Sequence, residues 1–167
     1  DWSSDVCSSD LKWFSEAVPP AGRAAGADHP LAQASAAAVQ TVLSSLEQLD
    51  FRSAAEAALH LAITANGFLN EQAPWSRMKQ EGTRDQVAAD LYAVLETARI
   101  VALLLAPLLP DLSERMLSQL GQRPLLSSAG SGSGDWPHQL TWGQLKGAQP
   151  LPEPSPVMAR LELEDPL

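Results

Sequence analysis

Cysteine is nearly absent from this chain, which has one cysteine, Cys7, among its 167 residues. A single cysteine can form neither an internal disulfide nor a thiolate cluster for a metal ion. His29, His60 and His138 have no catalytic partner at useful spacing, and no His, Asp and Glu residues are spaced like metal ligands. The sequence therefore predicts no metal site, no cofactor site and no catalytic residue in this chain.

Long apolar segments are also missing. The longest, residues 100–109, is about half of the ~20 residues that a membrane-spanning helix needs, and Pro107 interrupts it. No charged segment followed by an apolar segment opens the sequence, so no signal peptide is predicted. We expect a soluble, cytoplasmic protein with no membrane partner.

Positive charge is scarce, because 11 Lys and Arg residues stand against 20 Asp and Glu residues, for a net charge of −9. Phosphate binding needs Lys and Arg to displace counterions. The charge therefore argues against a protein that binds nucleic acid over its whole surface. Any contact with RNA must be local.

Ala and Leu dominate the sequence, β-branched residues are few, and 45% of the residues are hydrophobic. This composition favours helix over sheet. Apolar residues recur at helical spacing in residues 31–49, 50–73, 83–106 and 111–121. The second of these helices should run for about 22 residues. We expect an all-α antiparallel bundle with an irregular C-terminal tail, and the third helix, apolar nearly all round in its second half, should be central.

Capping signals stand at the predicted helix starts. Pro30 suits a first helical turn, and Asp50 is a good N-cap. The full set of predicted caps is Asp28 or His29 before Pro30, Asp50, a Thr83–Gln86 capping box, and Asp111 before the helix that ends at Gly121.

Four parts make up the chain in this interpretation. Residues 1–11 resemble a translated sequencing-adaptor remnant and are excluded from the fold. Residues 12–121 form the helical domain, and residues 122–135 form a flexible Ser/Gly loop that lacks the ending of a phosphate-binding P-loop. Residues 136–167 are a tail of the same domain, with a strand-like end at 157–162.

Residues 65–75, Ala-Asn-Gly-Phe-Leu-Asn-Glu-Gln-Ala-Pro-Trp, resemble the signature helix end of bacterial methionyl-tRNA synthetases. Further matching segments follow in the same order, at residues 91–100, 104–110, 119–121, 142–147 and 160–162. Together they cover most of residues 12–162. The resemblance implies the C-terminal helical anticodon-binding domain of that family, with the bundle fold of class I synthetases.

The resemblance also implies site residues. Trp75 should stack on the first base of the CAU anticodon of methionine tRNA, and one stacked base is worth about 1–3 kcal/mol. Asn66 and Asn70, one helical turn apart, should approach the anticodon loop. The family usually has an aspartate at position 70, so the asparagine puts fine discrimination in doubt.

Several charged residues lie beside or beyond this element. Arg77, Lys79 and Arg84 follow Trp75 closely and are candidates for contacts with phosphate. Arg99 stands among apolar residues and should pair with Glu96, one turn earlier, in a structural role.

Other parts of the family pattern do not occur in this sequence. The HIGH and KMSKS signatures of the catalytic domain, and a first helix with an Asn and an Arg that read the anticodon, should precede Lys12. ATP and Mg²⁺ belong to that missing catalytic domain, so we expect the chain alone to be an inactive fragment of a methionine–tRNA ligase. Its expected partners are the anticodon loop of methionine tRNA and the missing domain. Since no appended oligonucleotide-binding barrel follows, we expect a monomer.

Two alternatives remain open at this point. One is the equivalent helical domain of a valine, isoleucine, leucine or cysteine synthetase, against which the Ala-Pro-Trp element and the short Trp-Gly tail argue. The other is a helical protein-interaction module without tRNA binding, which the acidic surface would suit.

Overall fold

The computed structural model describes residues 11–122 and 136–158. In these ranges the helices are α1 (Pro30–Glu47), α2 (Phe51–Gln72), α3 (Pro74–Arg77), α4 (Arg84–Leu105), α5 (Pro110–Gln119) and α6 (Trp136–Gln139). Two 3₁₀ turns, Leu11–Phe14 and Gly22–Ala25, precede α1. The described residues form no strand beyond an isolated bridge between Ala17 and Pro150. The predicted all-α class is confirmed.

Some predicted segments fall outside the described residues. These are residues 1–10 of the proposed remnant, residues 123–135 of the Ser/Gly loop, and the strand-like end from residue 159 onward. The predicted four-part division is therefore not tested as a whole.

Two predicted caps are confirmed where α1 and α2 begin. The Nδ1 atom of His29 accepts a hydrogen bond from the Leu31 N–H at 3.2 Å, and Pro30 occupies the first turn. The Asp50 carboxylate accepts from the Ser53 N–H at 3.0 Å. Each acceptor satisfies a donor that the first helical turn leaves unpaired. From Asp50, α2 runs for 22 residues, as predicted.

Two other predicted caps are wrong. The hydroxyl of Thr83 does not cap α4 but donates to the backbone carbonyls of Arg77 and Gln80, at 2.5 and 3.0 Å, because the preceding turn leaves those oxygens nearby. At α5 the N-cap position is Leu109, with no side-chain cap. Asp111 instead lies inside the first turn, where its charge suits the positive end of the helix dipole.

The end of α5 lies where Gly121 predicted it. Gly121 has a left-handed φ of 66°. Its N–H donates to the Ser118 carbonyl, and the N–H of Gln122 donates to the Leu117 carbonyl, both at 2.9 Å. This pair of bonds is the Schellman motif, which glycine permits because it has no Cβ to clash.

Helix α4 is the centre of the bundle. Its second half, including Ile100 and Leu104, is buried almost without interruption and forms one core cluster with side chains of α1, α2 and α5. A turn of residues 48–50 joins α1 to α2, and α4 is joined to α5 by residues 106–109. Helices that pack together across such short turns usually run antiparallel, in agreement with the predicted bundle. The predicted central position of this helix is confirmed.

The tail returns to the bundle and is tied to it by side-chain hydrogen bonds. The indole N–H of Trp136 donates to the Leu103 carbonyl at 3.1 Å, and that of Trp142 donates to the Ala24 carbonyl at 2.8 Å. The described residues of the tail, 136–158, are therefore part of the same packed domain.

A buried carboxylate holds the same tail in place. Glu96 is fully buried, and its two oxygens accept from the backbone N–H groups at residues 143–145, at 2.8 to 3.0 Å. Arg99 donates to both Glu96 oxygens and also to two tail carbonyls, those of Gln139 and Thr141. The predicted Glu96–Arg99 pair is confirmed. Its role as the anchor of the tail could not be read from local spacing, since the partners lie forty or more residues away.

Candidate nucleic-acid interface

The candidate interface lies where α2 ends and the chain turns into α3. Ala73 adopts a left-handed conformation (φ 43°), which breaks α2, and its N–H still bonds to the Leu69 carbonyl at 3.0 Å. Pro74 then begins α3, since its fixed φ suits a first turn and its missing N–H costs nothing there. Trp75 follows and points from the first turn of the new helix with 40% of its surface exposed.

The exposure of Trp75 distinguishes it from the other described tryptophans. Trp136 and Trp142 pack against the core and donate their indole N–H groups to backbone carbonyls. Trp13 packs against the small apolar cluster of Leu69, Val87 and Leu91. Because large aromatic side chains are usually buried, an exposed one at a turn is an available stacking surface.

Asn66 and Asn70 lie on one face of α2, as predicted. Asn70 is exposed, and Asn66 is half-buried and has a side-chain interaction of its own. Toward the start of the helix the same face continues with Leu59 and Ile63, 53% and 68% exposed. Beside it, the Cα of Gly67 faces open space.

The three predicted phosphate contacts have different surroundings. The guanidinium of Arg77 bonds to Asp90 at 2.6 Å, to Gln86 at 2.9 Å and to Gln72 at 3.0 Å. Its side chain is only 22% exposed. Sequence spacing placed this arginine beside the tryptophan, but it gave no sign of these contacts.

Arg84 and Lys79 are both exposed. Arg84 donates to the Trp13 carbonyl at 2.7 Å, and its guanidinium carbon lies 5.1 Å from the centre of the Phe14 ring. Lys79 makes no ion pair or side-chain hydrogen bond within the described part of the chain. Of the three, Lys79 is the charge most available to a ligand.

One feature of the sequence could have pointed to the ion pair of Arg77, namely the position of its partner Asp90. This carboxylate lies on a helix face that is otherwise apolar, between Val87, Leu91 and the core. A buried carboxylate needs a donor. The missing information was which of the nearby cations supplies it.

Neither a cluster of metal ligands nor a membrane-spanning helix is found among the described residues. No group of three or more His, Cys, Asp and Glu side chains in residues 11–122 and 136–158 could hold a metal ion. Among the same residues, no helix is long and apolar enough to cross a bilayer.

Comparison with known proteins identifies the domain. Residues 18–141 match the family model described as the anticodon binding domain of methionyl tRNA ligase. The bundle is therefore of the helical anticodon-binding class. The chain belongs to the family of methionyl-tRNA ligases and corresponds to their anticodon-binding domain. This confirms the predicted family over the valine, isoleucine, leucine and cysteine alternatives.

Relatives and solved structures agree with this assignment. A methionine–tRNA ligase of Thermosynechococcus vestitus is 39% identical over 142 residues, covering 85% of this chain and 27% of the relative. The free-state crystal structure of Mycobacterium tuberculosis methionyl-tRNA synthetase is 27% identical with a TM-score of 0.77, over 97% of this chain and 31% of that one. The same enzyme bound by methionyl-adenylate gives 26% and 0.72, over 93% and 29%. The chain thus spans less than a third of the length of these relatives.

Proposed function

We propose that this chain binds the CAU anticodon loop of methionine tRNA, as the recognition domain of a methionine–tRNA ligase. Trp75 stacks on the first anticodon base, and Asn66 and Asn70 approach the loop from the adjoining face of α2. The observation that carries the proposal is the 40% exposure of Trp75 at the turn after α2, in a chain that belongs to this family.

Stacking supplies most of the affinity in this proposal. An aromatic face holds an unstacked base with about 1–3 kcal/mol and needs no positive charge. Around the turn the charges nearly cancel, since Glu71, Glu81 and Asp85 are exposed beside the cations. Lys79 and Arg84 are the proposed phosphate contacts, and Arg77 is treated separately below. With so few free cations, the salt dependence should be shallow, about −0.7 in slope for each single-stranded phosphate neutralised.

The remaining chemistry belongs to the rest of the enzyme. We propose that methionine activation with ATP and Mg²⁺ takes place in a catalytic domain that this chain does not contain. This anticodon-binding domain then presents tRNA to that catalytic domain. We further propose that the enzyme is a cytoplasmic monomer. Reading the anticodon then orients the acceptor end toward the distant active site.

A titration with an anticodon stem-loop tests the proposal. Trp75→Phe keeps an aromatic face and should bind within a few-fold of the native chain, whereas Trp75→Ala should bind about tenfold more weakly or worse. Trp136→Phe is unsuitable as a control because it removes a core hydrogen bond, so Phe51→Ala, an exposed aromatic at the far end of α2, is the matched control. Equal affinity of all variants would contradict the stacking role of Trp75, and no binding by the native chain would favour a protein-interaction module.

A further inference from the structure

Arg77 makes more side-chain hydrogen bonds within the protein than expected of an arginine that is free to bind a ligand. Its guanidinium bonds to side chains of two helices, Gln72 at the end of α2 and Asp90 and Gln86 on α4. The pair with Asp90 is 2.6 Å long, with side-chain exposures of 22% and 11%. The other described ion pairs join residues within a single helix. This one is therefore the only described ion pair that ties separate elements together.

The element that Arg77 ties down is the one that carries Trp75. Helix α3 has four residues, Pro74–Arg77, and so is too short to be stable alone. Its backbone is held by bonds from Arg77 and Met78 to the carbonyls of Ala73 and Pro74, at 3.2 and 2.9 Å. Beyond those local bonds, the Arg77 side chain fixes the end of α3 against α4.

We propose that Arg77 is a positioning residue for anticodon recognition, which holds the Trp75 ring in its stacking position through Asp90 and Gln86. The inference rests on the proposed function and deepens it, since it assigns to Arg77 a task other than contact with phosphate. A guanidinium already bound to three acceptors would have to give up a half-buried ion pair to reach RNA.

Two substitutions separate positioning from phosphate contact, because the two roles predict opposite results. Arg77→Lys keeps the charge but loses the planar fork that reaches several acceptors at once. A phosphate contact would tolerate the lysine, whereas a positioning role would not. Asp90→Asn removes a negative charge near the RNA and frees Arg77. If Arg77 contacts phosphate, the Asp90→Asn variant should bind the stem-loop more tightly than the native chain. If Arg77 positions Trp75, the same variant should bind it more weakly.

The experiment is a stem-loop titration at several salt concentrations with the native chain, both variants and their combination. We expect each single variant to bind about tenfold more weakly, with an unchanged salt slope, and the double variant to lose little more than either one. Lys79→Gln should instead reduce the magnitude of the slope by about 0.7, the contribution of one single-stranded phosphate. Arg52→Gln is the matched control for Lys79→Gln, because it removes the same charge from a side chain that is 87% exposed at the far end of α2. Tighter or unchanged binding by Asp90→Asn would overturn the inference.

Amide hydrogen exchange makes the inference testable apart from RNA binding. The amides of Arg77, Met78 and Gln80 should exchange faster in Arg77→Lys and Asp90→Asn, while those of α1 keep their native rate. If the native chain bound no stem-loop but these amides still responded, the proposed function would fail and the bracing of α3 by Arg77 would stand. If the amides did not respond, the positioning role would be overturned whatever the binding result.

Discussion

Arg99 and Glu96 form a two-point ion pair inside the bundle, with Nε and one terminal nitrogen of the arginine 3.0 and 2.6 Å from the carboxylate oxygens. Both side chains are almost fully buried, at 4% and 0% exposure. Such a pair stabilises a fold only when the remaining hydrogen-bonding positions are also filled. Here the backbone of the tail fills them, so the pair and the tail depend on each other.

Glu96→Gln should destabilise the domain by about 3–5 kcal/mol, because it leaves the Arg99 charge buried without compensation and turns an amide NH₂ toward backbone N–H donors. Urea unfolding followed by circular dichroism measures this loss. Glu56→Gln is the control, since Glu56 forms an exposed pair with Arg52 and its removal should leave the midpoint nearly unchanged. Equal midpoints for the two variants would show that the tail is not anchored through Glu96.

Stability should also depend on the protonation of His29, which caps α1 with Nδ1, lies edge-on to Phe68 and stacks on Trp142. Burial lowers the pKa of His29 from its ordinary 6.5, although Asp90 and Asp28 act in the raising direction and Arg23 adds to the lowering. A histidine with a lowered folded-state pKa contributes stability above the unfolded pKa, and that contribution is lost as the pH falls.

His29→Asn tests this dependence, because asparagine can still cap the helix but does not titrate. When the pH is lowered from about 7 to about 5, the urea midpoint of the native chain should fall further than that of the variant. The difference between the two chains removes the contributions of the other titrating groups. Parallel losses would mean that His29 has no part in the pH response.

Trp75→Ala in a complete ligase should separate two activities. Methionyl-adenylate formation, measured by pyrophosphate exchange, should be nearly unchanged, while tRNA charging should fall by about tenfold or more in kcat/KM. The reason is that adenylate formation involves no tRNA. Equal loss of both activities would assign Trp75 a structural role instead.

Local chemistry made much of the fold predictable. Pro30 and Asp50 marked helix starts because their effects act within one turn, and Gly121 marked an end for the same reason. The prediction that Thr83 caps α4 was wrong because its hydroxyl donates instead to two carbonyls in the preceding turn, those of Arg77 and Gln80. The sequence does not show that these acceptors lie within reach.

The family motif made Trp75 a candidate from the sequence alone, and its role in anticodon binding stays a prediction. The contacts of Arg77 could not be predicted in this way, because its main partner, Asp90, lies thirteen residues away on another helix. The same limit applied to Glu96, whose backbone partners in the tail lie 47 to 49 residues away.

The most direct test of anticodon recognition changes one base of the RNA and nothing in the protein. Native chain is titrated with a CAU stem-loop and with stem-loops that carry G, A or U at the first anticodon position, under one salt concentration. The account predicts tightest binding to CAU, by about tenfold or more, because hydrogen bonds from Asn66 and Asn70 would distinguish the bases. Since stacking accepts any base, Trp75→Ala should weaken binding to all four stem-loops. Equal binding of the four stem-loops by the native chain would contradict it.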